Sequence, residues 1–299
     1  MTDRIASSTT DSRPILAAVD GSTAAYHAAA WAAMEAALHG RRLHLLTSVM
    51  LQTGFGPAPV LGGTNRDWFD IQGERVLTEA VRVVRAAVSD ALDISTEITE
   101  APVIPELLTR SSAVRMVVVG SRGLGAFGRA LLGSVSSALI YHANCPVAVI
   151  HGSPATDPVL AGRPVLVGVD GGPNSMPAIE MALEEASLRK VGLVALHAWS
   201  DTSGLHRTEE ALEAIREQEE ARLADHLAGY AERCADVAVT RMLMHDNPVR
   251  SLVEAAENAQ LLVVGSRGRG GFAGMLLGST SAAVAQSVEC PIVVVRGAV

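Results

Sequence analysis

A chain of 299 residues is too long for one small domain and suits two units of roughly 150 residues each. With 48% hydrophobic and 19% charged residues, it has ample apolar side chain for packed cores and excludes global disorder. The formal net charge of -8 argues against non-specific nucleic-acid or anionic-membrane binding, and 3% aromatics are thin for stacking single strands.

In chain order, the polar start MTDRIASSTTDSRP lacks the apolar run of a signal peptide. Apolar, β-branched runs then predict strands over 15–20, 43–49, 94–99, 115–120 and 147–150, alternating with helices over 23–39, 68–89, 103–112 and 134–143. The Gly/Pro-rich segment HGSPATDPVLAGRP (151–164) reads as a connection, giving units 1–152 and 164–299 around a linker at 153–163. Beyond it strands are expected over 165–170, 192–198, 237–243, 261–265 and 292–296, with helices over 175–190, 207–234, 248–258 and 279–288.

The second half repeats the first. ILAAVDG (15–21) matches VLVGVDG (165–171), and MVVVGSRGLGAFGRALLGSVS (116–136) matches LLVVGSRGRGGFAGMLLGSTS (261–281). Runs such as MVVVG are apolar on both faces, as central parallel strands covered by helices should be. The expected fold class is α/β, two tandem doubly wound open parallel five-stranded sheets, with ligands outside the carboxyl ends of the first and fourth strands. The apolar last strands, PVAVI and PIVVV, should be sheet edges, covered by pairing one domain against the other. Cys145, Cys234 and Cys290 are far apart and make no disulfide framework or zinc pattern; a reducing cytosol fits them. The stretch 130–156 lacks charged side chains, but its serines, His142, Asn144 and Pro146 argue against a membrane span, so a soluble cytoplasmic protein is expected.

After each fourth strand the sequence builds an anion cradle: Gly120-Ser121-Arg122-Gly123, nine residues, then Gly133-Ser134, and again Gly265-Ser266-Arg267-Gly268, nine residues, then Gly278-Ser279. Glycines let backbone N–H groups approach phosphate oxygens, and a helix opening at Ser134 or Ser279 adds free amides and the positive end of its dipole. A plain glycine-rich connection is the simpler alternative. Lys190, the only lysine, follows Arg189, so the P-loop NTPase motif is excluded. The GxGxxG at Gly123, Gly125 and Gly128 follows the fourth strand rather than the first, which argues against a dinucleotide fingerprint.

The pattern Gly-x2-Gly-x9-Gly-Ser, with Asp20 and Asp170 ending the first strands, resembles the universal stress protein family, specifically its ATP-binding, tandem two-domain, mycobacterial-like branch. That resemblance implies an adenine nucleotide alpha hydrolase-like fold, ATP with Mg2+ or Mn2+, and a stress or dormancy regulator with little or no turnover. It also implies pairing through the last strand and a homodimer. It carries the triphosphate onto Gly120, Ser121, Arg122, Gly123, Gly125, Gly133, Ser134 and Val135. The second site would use Gly265, Ser266, Arg267, Gly268, Gly270, Gly278, Ser279 and Thr280. Asp20 and Asp170 would lie beside the adenosine or the ATP-bound metal, Ala18 and Gly168 near the nucleotide, and Val49 and Ala198 against the adenine. Asp170-Gly171-Gly172-Pro173 departs from Asp20-Gly21-Ser22 by losing the hydroxyl, and LQTGFGPAPVLGG (51–63) is an insertion of the first copy.

Other residues have plainer readings. Asp20 and Asp170 would alternatively cap the following helices. His142, His197 and His226 show no metal-ligand spacing, and helix 207–234 places Leu212, Ile215, Leu223, Leu227 and Tyr230 on one core-facing side. An ATP-hydrolysing or adenylyl-transferring enzyme is the alternative function, but the turns VDGSTAAY and VDGGPNSM lack the SGGxDS or HIGH-type histidine pair that such relatives need, and the loops carry no carboxylate, histidine or lysine placed to activate water. A ligand-free pairing module is the third reading.

Overall fold

The computed structural model describes residues 12–49, 65–88, 91–124, 132–152, 160–199, 208–231, 234–268 and 276–296. The first half runs β1 (Ile15–Ala18), α1 (Thr23–Leu38), β2 (Leu43–Ser48), α2 (Asn65–Ala87), β3 (Ile94–Thr99), α3 (Val103–Arg110), β4 (Met116–Gly120), α4 (Ser134–His142) and β5 (Val147–Ile150). The second runs β6 (Val165–Gly168), α5 (Met176–Arg189), β7 (Leu193–Trp199), α6 (Glu209–Ala231), β8 (Val239–His245), α7 (Pro248–Ala256), β9 (Leu261–Gly265), α8 (Ser279–Ser287) and β10 (Ile292–Val295). Every expected element exists, with shifted ends. β1 stops at Ala18, two residues short of expectation, because Asp20 turns out of the ladder to accept an N–H from Ser22. The eighth strand lies two residues later than expected, at Val239–His245. The insertion 51–63 and most of the linker 153–163 lie outside the described residues.

Strand order is β3-β2-β1-β4-β5-β10-β9-β6-β7-β8, a single ten-stranded sheet. Within each half all neighbours are parallel, whereas β5 and β10 pair antiparallel, Ile292 opposite Val149 and Val294 opposite Val147. The two apolar edge strands thus cover each other, and every residue of both is buried. Because the junction is antiparallel, the carboxyl ends of β1 and β4 open on the opposite rim of the sheet from those of β6 and β9. The free edges, β3 and β8, expose polar residues such as Ser95, Thr96, Thr240 and Arg241, which disfavour further strand addition.

Helices cover both faces, and each face carries one core built from both halves. α1 and α5 lay small side chains flat on the sheet: Ala28, Ala29, Ala32, Ala33 and Ala36, with Ala178, Ala182 and Ala186. The opposite core joins Leu107, Leu139 and Val149 to Leu252, Val284 and Val294. In α6, Leu223, Leu227 and Tyr230 are buried, Leu212 and Ile215 half-buried, and the charged back is solvated.

A charge cluster joins the halves where α1 meets α5. The His39 Nε2 lies 3.1 Å from Glu35 Oε1 and 2.9 Å from Glu185 Oε1, and Nδ1 faces Glu184 at 3.6 Å. Arg189 pairs with both Glu35 and Glu185, and Arg115 with Glu184 at 2.5 Å. Glu35 and Glu185 are repeat equivalents, as are His39 and Arg189, so the cluster sits on the pseudo-twofold of the duplication. Burial disfavours the imidazolium, but hydrogen bonds to Glu184, Glu185 and Glu35 outweigh it and raise His39 to about 11. Burial disfavours ionised Glu35 too, but Arg189 and His39 hold its carboxyl below the usual range. Burial and the Glu35 charge push Glu185 up.

The signs fix a pH window. The His39 contribution is complete below 6.5 and is lost as pH rises through about 11; that of Glu35 is complete above 4.5 and lost in strong acid. The raised Glu185 contributes fully below 4.5 and loses that contribution as pH rises through its elevated value. Thermal unfolding from pH 5 to pH 10 should therefore show a wild-type advantage over His39→Gln that is largest in mild acid and shrinks toward alkaline pH. A gap that stays constant would mean that the imidazolium contributes nothing.

Candidate functional site

The first site forms where β1 and β4 end side by side. Gly21, at φ +88°, turns the chain out of β1, and Ser22 caps α1 by accepting the Ala25 N–H at 3.2 Å. Asp20 is therefore not the helix cap. Its Oδ1 accepts the Ser22 N–H at 2.9 Å, and its Oδ2 accepts the Leu124 N–H at 3.0 Å, tying the β1 turn to the glycine loop. Each oxygen keeps a lone pair, and the residue is exposed.

The glycine positions are set by close approach. A Cβ on Gly123 would stand 2.4 Å from Asp20 Oδ2, and one on Gly120 would stand 2.8 Å from the Ala24 carbonyl carbon. Gly133 closes the loop by donating its N–H to the Ser121 carbonyl at 2.7 Å, a carbonyl that also accepts from Ser136 Oγ at 3.1 Å. Gly133 then becomes the N-cap of α4 without any side-chain acceptor, so the amides that open the helix at Ser134 and Val135 have no side-chain cap. Ser121 is buried, its hydroxyl without a hydrogen-bond partner among the described residues. Gly125 lies outside the described residues.

The second site repeats this frame at the ends of β6 and β9. Gly278 donates to the Ser266 carbonyl at 2.7 Å and caps α8 without a side-chain acceptor, leaving the Ser279 and Thr280 amides without a side-chain cap. A Cβ on Gly268 would stand 3.0 Å from Asp170 Oδ2, and one on Gly265 would stand 3.1 Å from the Asn174 carbonyl oxygen. The expected loss of a hydroxyl is corrected here. A 3-10 turn at Pro173–Ser175 lengthens the connection and brings Ser175 Oγ onto Asp170 Oδ1, which also accepts the Gly172 N–H at 2.9 Å. Gly270 lies outside the described residues.

Ala18 and Gly168 are the half-buried last residues of β1 and β6. Val49 follows β2 and donates its N–H to the Thr99 carbonyl at 3.0 Å. Since Ile15 and Val165 pair with Leu43 and Leu193 in the same register, the counterpart of Val49 is Trp199, one residue beyond Ala198. Trp199 stacks on His245 with centroids 4.0 Å apart. The two rings border an open groove along the first turns of α6.

Among the described residues, Arg122 and Arg267 have no carboxylate partner, unlike Arg82, Arg110, Arg115, Arg189, Arg216, Arg222 and Arg250. A second basic residue that sequence reasoning passed over joins each arginine. Ser121 donates its N–H to the Ile150 carbonyl at 2.8 Å and Ser266 to the Val295 carbonyl at 2.7 Å, which seats His151 beside the first loop and Arg296 beside the second. Burial, then the neighbouring Arg267, lower the Arg296 pKa, and its Nη2 is buried without a hydrogen-bond partner among the described residues. The signal was in the repeat: His151 and Arg296 occupy equivalent places after the last strand.

Other polar clusters are already satisfied. Glu35, His39 and Glu185 are the one metal-capable trio among the described residues, but Arg189 and the His39 imidazolium neutralise both carboxylates. His197 is buried between the Val169 carbonyl, at 2.7 Å, and Glu219, at 3.1 Å, and His142 is exposed. Burial raises the thiols of Cys145 and Cys290 to about 12, as packing residues rather than nucleophiles. No described helix is long and apolar enough to cross a membrane.

The profile of the Universal stress protein family matches residues 12–151 and again 162–296, so the chain belongs to that family and carries two copies of its domain in tandem. It is 42% identical to universal stress protein Rv2623 of Mycobacterium tuberculosis over 293 residues, covering 97% of this chain and 98% of that one. It is 40% identical to universal stress protein Rv2005c of the same species over 284 residues, covering 94% and 96%. A universal stress protein from Archaeoglobus fulgidus shares the fold with a TM-score of 0.67 at 20% identity, covering 96% of this chain and 99% of that one.

Proposed function

We propose that the protein binds ATP with a divalent cation at two sites, one per half, and acts as a nucleotide-dependent stress or dormancy regulator with little or no turnover. The observation that carries this reading is the pairing of an arginine that has no carboxylate partner among the described residues with helix-opening amides that lack a side-chain cap, in a chain whose net charge is -8. Such a place favours a polyanion. Gly120, Ser121, Arg122, Gly123, Gly133, Ser134 and Val135 would hold the triphosphate in the first half, and Gly265, Ser266, Arg267, Gly268, Gly278, Ser279 and Thr280 in the second. Gly125 and Gly270 belong to the same loops in sequence.

Asp20 and Asp170 fit a cation bridged to phosphate, because each carboxylate stands against its glycine loop and Asp20 keeps a lone pair on each oxygen. Mg2+ bound with ATP supplies charge neutralisation there. The base would lie toward Val49 in the first half and toward Ala198 and Trp199 in the second. Native mass spectrometry of freshly purified protein should show mass increments of ATP, up to two per chain. Protein that stays free of nucleotide after incubation with millimolar Mg-ATP would contradict the reading.

A further inference from the structure

His151 and Arg296 occupy the same place in the repeat but differ in chemistry. Arginine is charged at every accessible pH, whereas histidine gains or loses its charge near neutrality. The His151 ring is mostly buried. Its Nε2–H donates to the Ala285 carbonyl of α8 at 2.9 Å, reaching across the junction into the other half, and its Nδ1 is buried without a partner among the described residues. The charged groups that face it are Arg122, from the loop after β4, and Glu289, from the turn before β10; α8 contributes the Ala285 carbonyl. Burial, together with Arg122, lowers the imidazole pKa against the Ala285 and Glu289 contributions, so the ring is neutral at neutral pH.

In the neutral ring Nδ1 is an acceptor with no donor among the described residues; protonated, it becomes a donor beside a loop whose Arg122 has no carboxylate partner among those residues. An anion on the loop offsets the Arg122 charge and favours the imidazolium.

We infer that His151 is a proton-dependent phosphate-binding group of the first site, so that polyphosphate binding there takes up a proton and strengthens in mild acid, while Arg296 makes the second site indifferent to pH. The inference rests on the nucleotide reading above and assigns the two sites different regulation.

The test is calorimetric titration of Mg-ATP into the full chain between pH 8 and pH 6, in buffers of different ionisation enthalpy. Gly268→Val isolates the first site and Gly123→Val the second. Affinity at the first site should rise about tenfold toward pH 6, with proton uptake, beyond any change at the second. The second site serves as the control for protonation of the ligand itself. His151→Arg should make the first site tight and as flat as the second; His151→Gln should leave it weak and flat. Nitrogen-15 imidazole NMR of the wild type, which needs no variant, should show the His151 pKa rising when ATP is added. Binding at both sites with the same pH profile, or an unmoved His151 resonance, overturns the inference and leaves the nucleotide reading standing. Absence of binding at every pH overturns both.

Discussion

Leucine in place of Arg189 is expected to destabilise the chain by about 3–5 kcal/mol, the usual cost of removing one partner from a buried ion pair. Glu35 and Glu185 are 1% and 0% exposed, and Arg189 is the guanidinium that pairs with both. Without it, two carboxylates share the junction with a single imidazolium, and one must take up a proton or unfold its surroundings. The contact of the guanidinium with the Trp31 ring, 6.0 Å from its centroid, is lost as well. Urea unfolding should show the loss as a lower midpoint, and adding Glu185→Leu to Arg189→Leu should recover part of it. A change below about 1 kcal/mol, the size seen for exposed pairs, would show that the cluster is solvated and mechanically idle.

Valine in place of Gly123 should remove nucleotide from the first site while leaving the fold intact. Its Cβ would stand 2.4 Å from Asp20 Oδ2, so the carboxylate must swing away and give up the Leu124 N–H. Loss of that charged hydrogen bond and of phosphate access is worth about 1.5–3 kcal/mol, or roughly 10- to 150-fold in affinity. Equilibrium dialysis with labelled ATP should fall from two bound equivalents toward one. The matching Gly268→Val is the milder change, since 3.0 Å to Asp170 Oδ2 needs a smaller shift. Two full-affinity equivalents in Gly123→Val would show that the loop has no part in binding.

The strands were legible because β4, β5, β9 and β10 are apolar on both faces, and the junction was legible because PVAVI and PIVVV could not be left as bare edges. The β5–β10 ladder answers that requirement directly. The charge cluster was not legible. Glu35 sits in an alanine-rich helix with little amphipathic pattern, so nothing local marks the side on which its carboxylate is buried. Only the equivalence of Glu35 with Glu185, and of His39 with Arg189, pointed to a shared axis. Ser175 escaped because its role depends on a 3-10 turn that lengthens the connection after β6, and Trp199 because strand ends shift by one residue between copies. His151 escaped because its place beside Arg122 is set by pairing between β4 and β5, far apart in sequence. The glycine spacing, by contrast, carried the loop geometry openly, since a Cβ at Gly120 or Gly123 would collide with Ala24 or Asp20.

The measurement that bears most directly on the account is the stoichiometry of Mg-ATP binding to the intact chain by isothermal titration at neutral pH. Two equivalents per chain are predicted, falling to one in Gly123→Val or Gly268→Val and to none in the double variant. No binding heat under any divalent-ion condition, or a stoichiometry unmoved by the double variant, would contradict it.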